Sequence, residues 1–248
     1  MIEVQGLRKT FHDRKKGDIP AVKEISFVCK PGQVFGLLGR NGAGKTTTLR
    51  MLATILTPSA GTAKVAGFDI VERPAEVRRR IGYLSGDTKL YDRLTGRELL
   101  AYFGTLAGMD AARIPSRVEE LTGPFGLEEL LDKRVGRMST GMKQRLSIAR
   151  VVFHDPEVLI FDEPTSGLDV FGAREVLSLV LDLKKKGRTV IYSTHIMTEA
   201  ERICDEIAII EKGSILRQGT LAQLGAGNGS GSLEDVFVDV VKGVADDR

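Results

Sequence analysis

The run Gly39-Arg40-Asn41-Gly42-Ala43-Gly44-Lys45-Thr46 constrains this chain more than any other, because it matches G-x-x-x-x-G-K-[ST]. Its glycines let the backbone curl so that successive N–H groups point inward at phosphate oxygens. A helix opening near Lys45 adds the positive end of its dipole. Lys45 then reaches the β- and γ-phosphates, and the Thr46 hydroxyl binds Mg²⁺. The cofactors expected are ATP and Mg²⁺, with Gly39 to Thr46 and the adjoining Thr47 as the nucleotide contacts.

The flanking pattern is the one this loop needs. Residues 33–39 (QVFGLLG) read as a fully buried strand, and residues 45–56 as the helix after it. Further buried strands are expected at 158–161 (VLIF), 189–192 (TVIY) and 207–210 (IAII), with helical patterns at about 170–186 and 197–203 between them. Such alternation gives an α/β core with crossover connections. The strand VLIF runs into Asp162-Glu163, which sets two carboxylates at the edge where open α/β sheets bind ligands. Asp162 suits the Mg²⁺ shell, directly or through water, and Glu163 is placed to polarise an attacking water. The plain alternative is a helix-capping turn before Pro164; beside the phosphate loop, the catalytic reading prevails.

Elsewhere the pattern changes. Residues from about 95 to 150 look mostly helical, with helices at 97–106, 116–121 and 142–152 and no convincing strand, as an inserted subdomain would. Strands at 2–7, 25–29 and 62–65 predict a small antiparallel sheet at the amino end. Residues 225–231 (GAGNGSG) have linker composition. After them Ser232 and Asp235 form a variant capping box. Leu233, Val236, Phe237, Val240 and Val241 then share one helical face. That face either folds back onto the core, the plainer reading, or docks on a partner.

Charge and cysteine usage exclude other classes. A formal net charge of +3 argues against a dedicated nucleic-acid grip. The runs Arg78-Arg79-Arg80 and Lys184-Lys185-Lys186 read as solvated helix ends that favour the carboxyl-terminal dipole. Cys29 and Cys204 sit in apolar stretches without a C-x-x-C pattern and read as buried free thiols, which fits a reducing cytosol. No signal peptide is visible at the amino end. No stretch approaches the roughly 20 apolar residues that span a bilayer.

With these motifs in order, the chain resembles the nucleotide-binding subunits of ATP-binding-cassette (ABC) transporters from residue 2 to about 224. Phe11 stands in the slot where the family stacks an aromatic ring on adenine. Ser139-Thr140-Gly141-Met142-Lys143-Gln144 occupies the place of the signature motif, Ser166-Gly167-Leu168-Asp169 that of the D-loop, and His195 that of the switch histidine, the family's phosphate sensor. The resemblance implies a P-loop NTPase (RecA-like) core with an amino-terminal antiparallel β subdomain and an inserted helical subdomain. It implies one ATPase domain over 1–224, followed by a flexible linker and short helix over 225–248. It also implies a head-to-tail homodimer that sandwiches two ATPs. There Ser139, Gly141 and the helix they open would address the γ-phosphate bound by the second copy. The pore would belong to a separate integral-membrane subunit, with this chain cytoplasmic on the inner face of the cell membrane.

Two departures stand out. Thr140 replaces the commoner glycine of the signature. Gly86, in Ile81-Gly82-Tyr83-Leu84-Ser85-Gly86-Asp87, stands where the family has the glutamine that touches the Mg²⁺ shell and senses the membrane partner. Ligation there would pass to water or to a neighbour such as Asp87. The runs 86–95 and 139–144 resemble the ATPase subunits of sodium-extruding exporters. The competing class is a soluble ABC ATPase that assembles or remodels other particles; many of those carry tandem cassettes or long coiled-coil insertions, and neither pattern occurs here. A nucleotide-gated module with negligible turnover is disfavoured by Glu163 and His195.

Overall fold

The computed structural model describes residues 1–15, 17–86, 89–226 and 231–246. At its centre β3 (Val34–Leu38), β7 (Val158–Asp162) and β8 (Thr189–Thr194) are buried at every position. Unbroken apolar runs do this when helices cover both faces of a parallel sheet. β3 pairs in parallel with β8 and with β9 (Glu206–Glu211), and β7 pairs in parallel with β8 and with β6 (Ile81–Leu84). The carboxyl ends of β3, β8 and β7 therefore lie side by side, and the loops leaving them carry the phosphate motif, His195 and Glu163.

The amino-terminal strands run longer than their apolar cores suggested. β1 (Ile2–Asp13) and β2 (Gly17–Cys29) form an antiparallel pair, with β4 (Ala60–Val65) antiparallel to β1 and β5 (Phe68–Asp69) antiparallel to β4. β10 (Ser214–Gly219) joins the two halves: it is antiparallel to β9 and touches β2 through one parallel bridge at Ser214 and Glu24. The order is β5-β4-β1-β2-β10-β9-β3-β8-β7-β6. β5, β6 and β10 are short or half-exposed and gave no strand signal of their own.

The helix after the phosphate loop is shorter than expected. α1 spans Lys45–Leu52 and stops four residues before position 56. Thr54 turns into the left-handed region (φ 59°), and the N–H groups of Ile55 and Leu56 both bond back to Arg50 O. Those bonds use up a carbonyl that further helix would have needed. α2 (Pro74–Arg80) leads into β6.

The middle of the chain forms α3 (Gly96–Leu106), α4 (Arg113–Phe125) and α5 (Thr140–Val152). Thr95 and Glu98 close a reciprocal capping box on α3, and Arg117 on α4 donates to the Val152 and Phe153 carbonyls at the end of α5. Leu99, Leu100, Val118 and Leu146 pack together from these three helices, with Phe153 just past the end of α5. α6 (Val170–Lys185) and α7 (Met197–Ile203) alternate with β7, β8 and β9 as expected.

After the short α8 (Leu221–Leu224), positions 227–230 of the expected linker lie outside the described residues. α9 (Leu233–Asp246) carries the expected cap, with Ser232 and Asp235 bonding reciprocally. Leu233 and Phe237 are buried against Leu38, Ala200, Ile207 and Ile209, so the helix folds back onto the core.

Of the basic runs, Arg78, Arg79, Lys185 and Lys186 are exposed as expected, and Arg80 and Lys184 are half-buried. Arg80 lies 4.2 Å over the Phe68 ring and pairs with Glu76, and Lys184 pairs with Asp205. Cys29 and Cys204 are both free, and burial pushes both thiols up, Cys29 to about 12. Thiols so protonated are poor nucleophiles.

Candidate active site

The phosphate loop holds its shape through glycine. Gly42 (φ 79°) and Gly44 (φ 109°) adopt the left-handed conformation, and a Cβ on Gly39 would meet Ile210 O at 2.3 Å. The Gly39 N–H bonds to Thr194 O, which fixes the loop to the end of β8. No side chain caps the amino terminus of α1 and no acid stands in its first turn, so its N–H groups remain suited to an anion.

Lys45 is only 4% exposed. Its ammonium contacts Gly39 O at 2.7 Å, Arg40 O at 3.1 Å and Glu163 Oε1 at 3.0 Å. A buried ammonium needs such oxygens, and phosphate oxygens could replace them. Glu163 Oε2 lies 3.1 Å from His195 Nδ1, so Lys45, Glu163 and His195 form one continuous chain.

Asp162 is anchored separately. Its Oδ1 accepts from Thr46 Oγ1 at 3.2 Å and from Ser193 Oγ at 2.7 Å. Ser193 Oγ in turn accepts the Glu163 N–H at 3.1 Å. Thr46 and Asp162 thus present two hard oxygens together, the donor type that Mg²⁺ takes alongside phosphate and water, so these residues fit that ion.

Under His195 lies a buried acid. Glu199 Oε2 accepts from Thr194 Oγ1 at 2.8 Å and Tyr192 OH at 3.0 Å, and Thr194 Oγ1 accepts the Ile196 N–H. Burial and the neighbouring Glu199 carboxylate push the Tyr192 hydroxyl up, so it keeps its proton and donates.

Whereas His195 lines a second hollow with Arg40, Asn41 and Glu211, Lys45, Thr46, Asp162 and Glu163 share a cavity of about 660 Å³. Arg40, Asn41, Gly42, Gly44, Lys45, Thr46 and Thr47 line it from the loop, and Asp162 and Glu163 from β7. Gly86 lines it too, and a Cβ there would meet nothing closer than Asp162 O at 3.8 Å. Asp87, the neighbour considered for ligation, lies outside the described residues.

Some expected residues sit elsewhere. Phe11 lies on β1 opposite Ile19, is 39% exposed and stands 5.3 Å beneath the Lys9 ammonium; the lining reaches this sheet at Ala21 instead. Ser139 and Gly141 also lie outside the lining. Ser139 is exposed and caps α5 by accepting the Met142 N–H, and a Cβ on Gly141 would meet nothing within 4 Å. That end of α5 is accessible to another molecule. Asp169 caps α6, whose first residues Val170 and Phe171 are exposed.

Ser193, Glu199 and Ser147 belong to the site or its support and were missed, and Gln144, named only as the end of the signature run, also lines the cavity. Ser193 and Glu199 flank His195 by two and four positions, and that proximity was their one sequence signal.

The ABC transporter family model matches residues 22–166. The chain is 42% identical to the ABC transporter ATP-binding protein NatA of Bacillus subtilis (strain 168), over 99% of this chain and 100% of that protein. It is 41% identical to the Nod factor export ATP-binding protein I of Paraburkholderia xenovorans (strain LB400), over 90% of this chain and 72% of the relative. A solved ATP-binding subunit of an ABC transporter superposes with a TM-score of 0.84 at 30% identity, covering 97% of this chain and 99% of that one.

Proposed function

The chain belongs to the ATP-binding subunits of ABC transporters, and on that premise we propose how its residues hydrolyse ATP and drive export. It is an ATPase subunit of the export type. Its 1–224 stretch is one ATPase unit, with the helical block of about 95–150 inserted and 225–248 appended.

The loop N–H groups of residues 39–46 and Lys45 hold the triphosphate, with Thr47 and Phe11 as further nucleotide contacts. Lys45 exchanges its Gly39 and Arg40 carbonyls for phosphate oxygens. Thr46 and Asp162 would hold Mg²⁺, which would supply charge neutralisation at the phosphates. Glu163 orients the attacking water and takes its proton. His195 steadies the Glu163 carboxylate through Oε2 and senses the γ-phosphate. In a homodimer the exposed Ser139 and the half-buried Gly141 complete the site of the second copy. Among the described residues no helix is long and apolar enough to cross a membrane, so we assign the pore to an integral-membrane partner and this chain to its cytoplasmic face. The finer assignment, export of sodium ions, rests on the likeness of the runs 86–95 and 139–144 to sodium exporters.

One observation carries the reading: Lys45, Glu163 and His195 are linked in series beside the Thr46–Asp162 pair. Glu163→Gln keeps the shape and loses the base. It is expected to bind MgATP, lose turnover and run as a dimer in size-exclusion chromatography. A monomer at saturating MgATP would contradict the sandwich. Sodium efflux from vesicles holding this chain with its co-purified membrane subunit tests the cargo.

A further inference from the structure

Gln144 lies on the second turn of α5, well behind the exposed cap at Ser139. Its side chain lines the cavity that holds Lys45 and Glu163, and its Nε2 donates to the Pro164 carbonyl. Pro164 is buried, and a buried carbonyl needs a donor. The bond therefore joins α5 to the residue directly after Glu163.

Glu163 is gripped at every other group. Its N–H bonds to Ser193, its C=O accepts the Ser166 N–H, and its two carboxylate oxygens face Lys45 and His195. Its backbone stands at φ 48°. A residue other than glycine persists there only when its surroundings over-determine it. The loop leaves β7 toward α6, and the Gln144 bond is where α5 takes hold of it.

We propose that Gln144 is a positioning residue: by holding the Pro164 carbonyl it makes the pose of Glu163 depend on the seat of α5. The inference rests on the reading of Glu163 as the base and of the Ser139 end of α5 as the surface offered to the second copy. Under that reading, one rigid helix meets nucleotide at its exposed end and holds the catalytic loop from its second turn. Docking of the second copy and alignment of the base become one event.

Gln144→Met keeps the length and removes the donor. The expected result is a fall of about 10-fold or more in kcat, with KM for ATP, affinity for a fluorescent ATP analogue and the thermal midpoint all near wild type. Gln144→Glu is isosteric, and its carboxyl donates only when protonated. Its rate relative to wild type should therefore rise as pH falls from about 8 to about 6, because burial raises the pKa of such a carboxyl. The Gln144→Met ratio should stay flat. Unchanged kcat in Gln144→Met overturns the proposal, as does a loss shared between kcat, KM and stability, which is what a merely structural contact would give. Glu163→Gln is assayed alongside. If it retains turnover, the reading of Glu163 has failed; if it is dead while Gln144→Met is fully active, only the role of Gln144 has.

Discussion

Replacing Ser193 by alanine removes one hydroxyl on which two site residues depend. Ser193 is fully buried, donates to Asp162 Oδ1 at 2.7 Å and accepts the Glu163 N–H at 3.1 Å. The Glu163 N–H retains Ser193 O at 3.2 Å, so that loss is partial. Asp162 fares worse. Its other described donor is Thr46 Oγ1 at 3.2 Å, and under the proposed mode of MgATP binding that hydroxyl would turn to the metal. In such a loaded site Ser193 would be the side chain that orients the Asp162 carboxylate. A hydrogen bond to a charged group is worth about 1.5–3 kcal/mol, and about 1.4 kcal/mol is tenfold in rate. Loss of such an outer partner costs on the order of 10–100-fold in metal affinity or activity. Ser193→Ala is therefore expected to lower kcat about 10-fold or more and to raise the Mg²⁺ concentration for half-maximal turnover. Steady-state ATPase titrations in Mg²⁺ at saturating ATP measure both. If both stay within about twofold of wild type, Asp162 does not depend on Ser193 and this account of the site is wrong.

Phe237→Ala empties a buried position where α9 meets the core. The expected cost is about 3 kcal/mol or more by denaturant unfolding, and a cost below about 1 kcal/mol would mean that α9 adds little to the fold. His154 donates its Nε2–H to Ile81 O, and burial holds its pKa below the ordinary imidazole value. The unfolded chain then binds the proton first, so stability is full above about pH 6.5 and falls as pH drops toward the lower folded value. His154→Gln should flatten that fall in urea titrations at about pH 7.5 and 5.5, and parallel losses in both proteins would refute the assignment.

Much of this could be read from the sequence because its signals were local. The buried runs 34–38, 158–162 and 189–194 needed no partner to be recognised, and the phosphate loop declared itself by its glycines. Residues 81–84 showed nothing comparable, because Gly82 and Tyr83 break the apolar run; there β7 supplies the pairing, and Gly82 lets Val151 approach where a Cβ would meet its side chain at 2.6 Å. The end of α1 was overrun because the apolar pattern continues past the left-handed Thr54. The contacts of Gln144 and Ser193 escaped notice for a different reason. Each acts on a residue about 20 to 31 positions away, and only the packed fold brings such groups together.

The pair Asp162-Glu163 shows why the motif alone could not supply the geometry. Neighbouring residues on a strand point to opposite faces, so two adjacent carboxylates in β7 would normally be parted. β7 ends at Asp162, whose side chain turns to Thr46 and Ser193. Glu163 then leaves the strand at φ 48°, and its carboxylate comes round to Lys45 and His195. A non-glycine residue in that region costs of order 1–3 kcal/mol. Glycine would relieve the strain and remove the carboxylate; here Ser193, Ser166 and Gln144 hold the backbone that bears it. One abrupt turn thus sends two carboxylates adjacent in sequence to two separate places, one facing Thr46 and Ser193 and one facing Lys45 and His195.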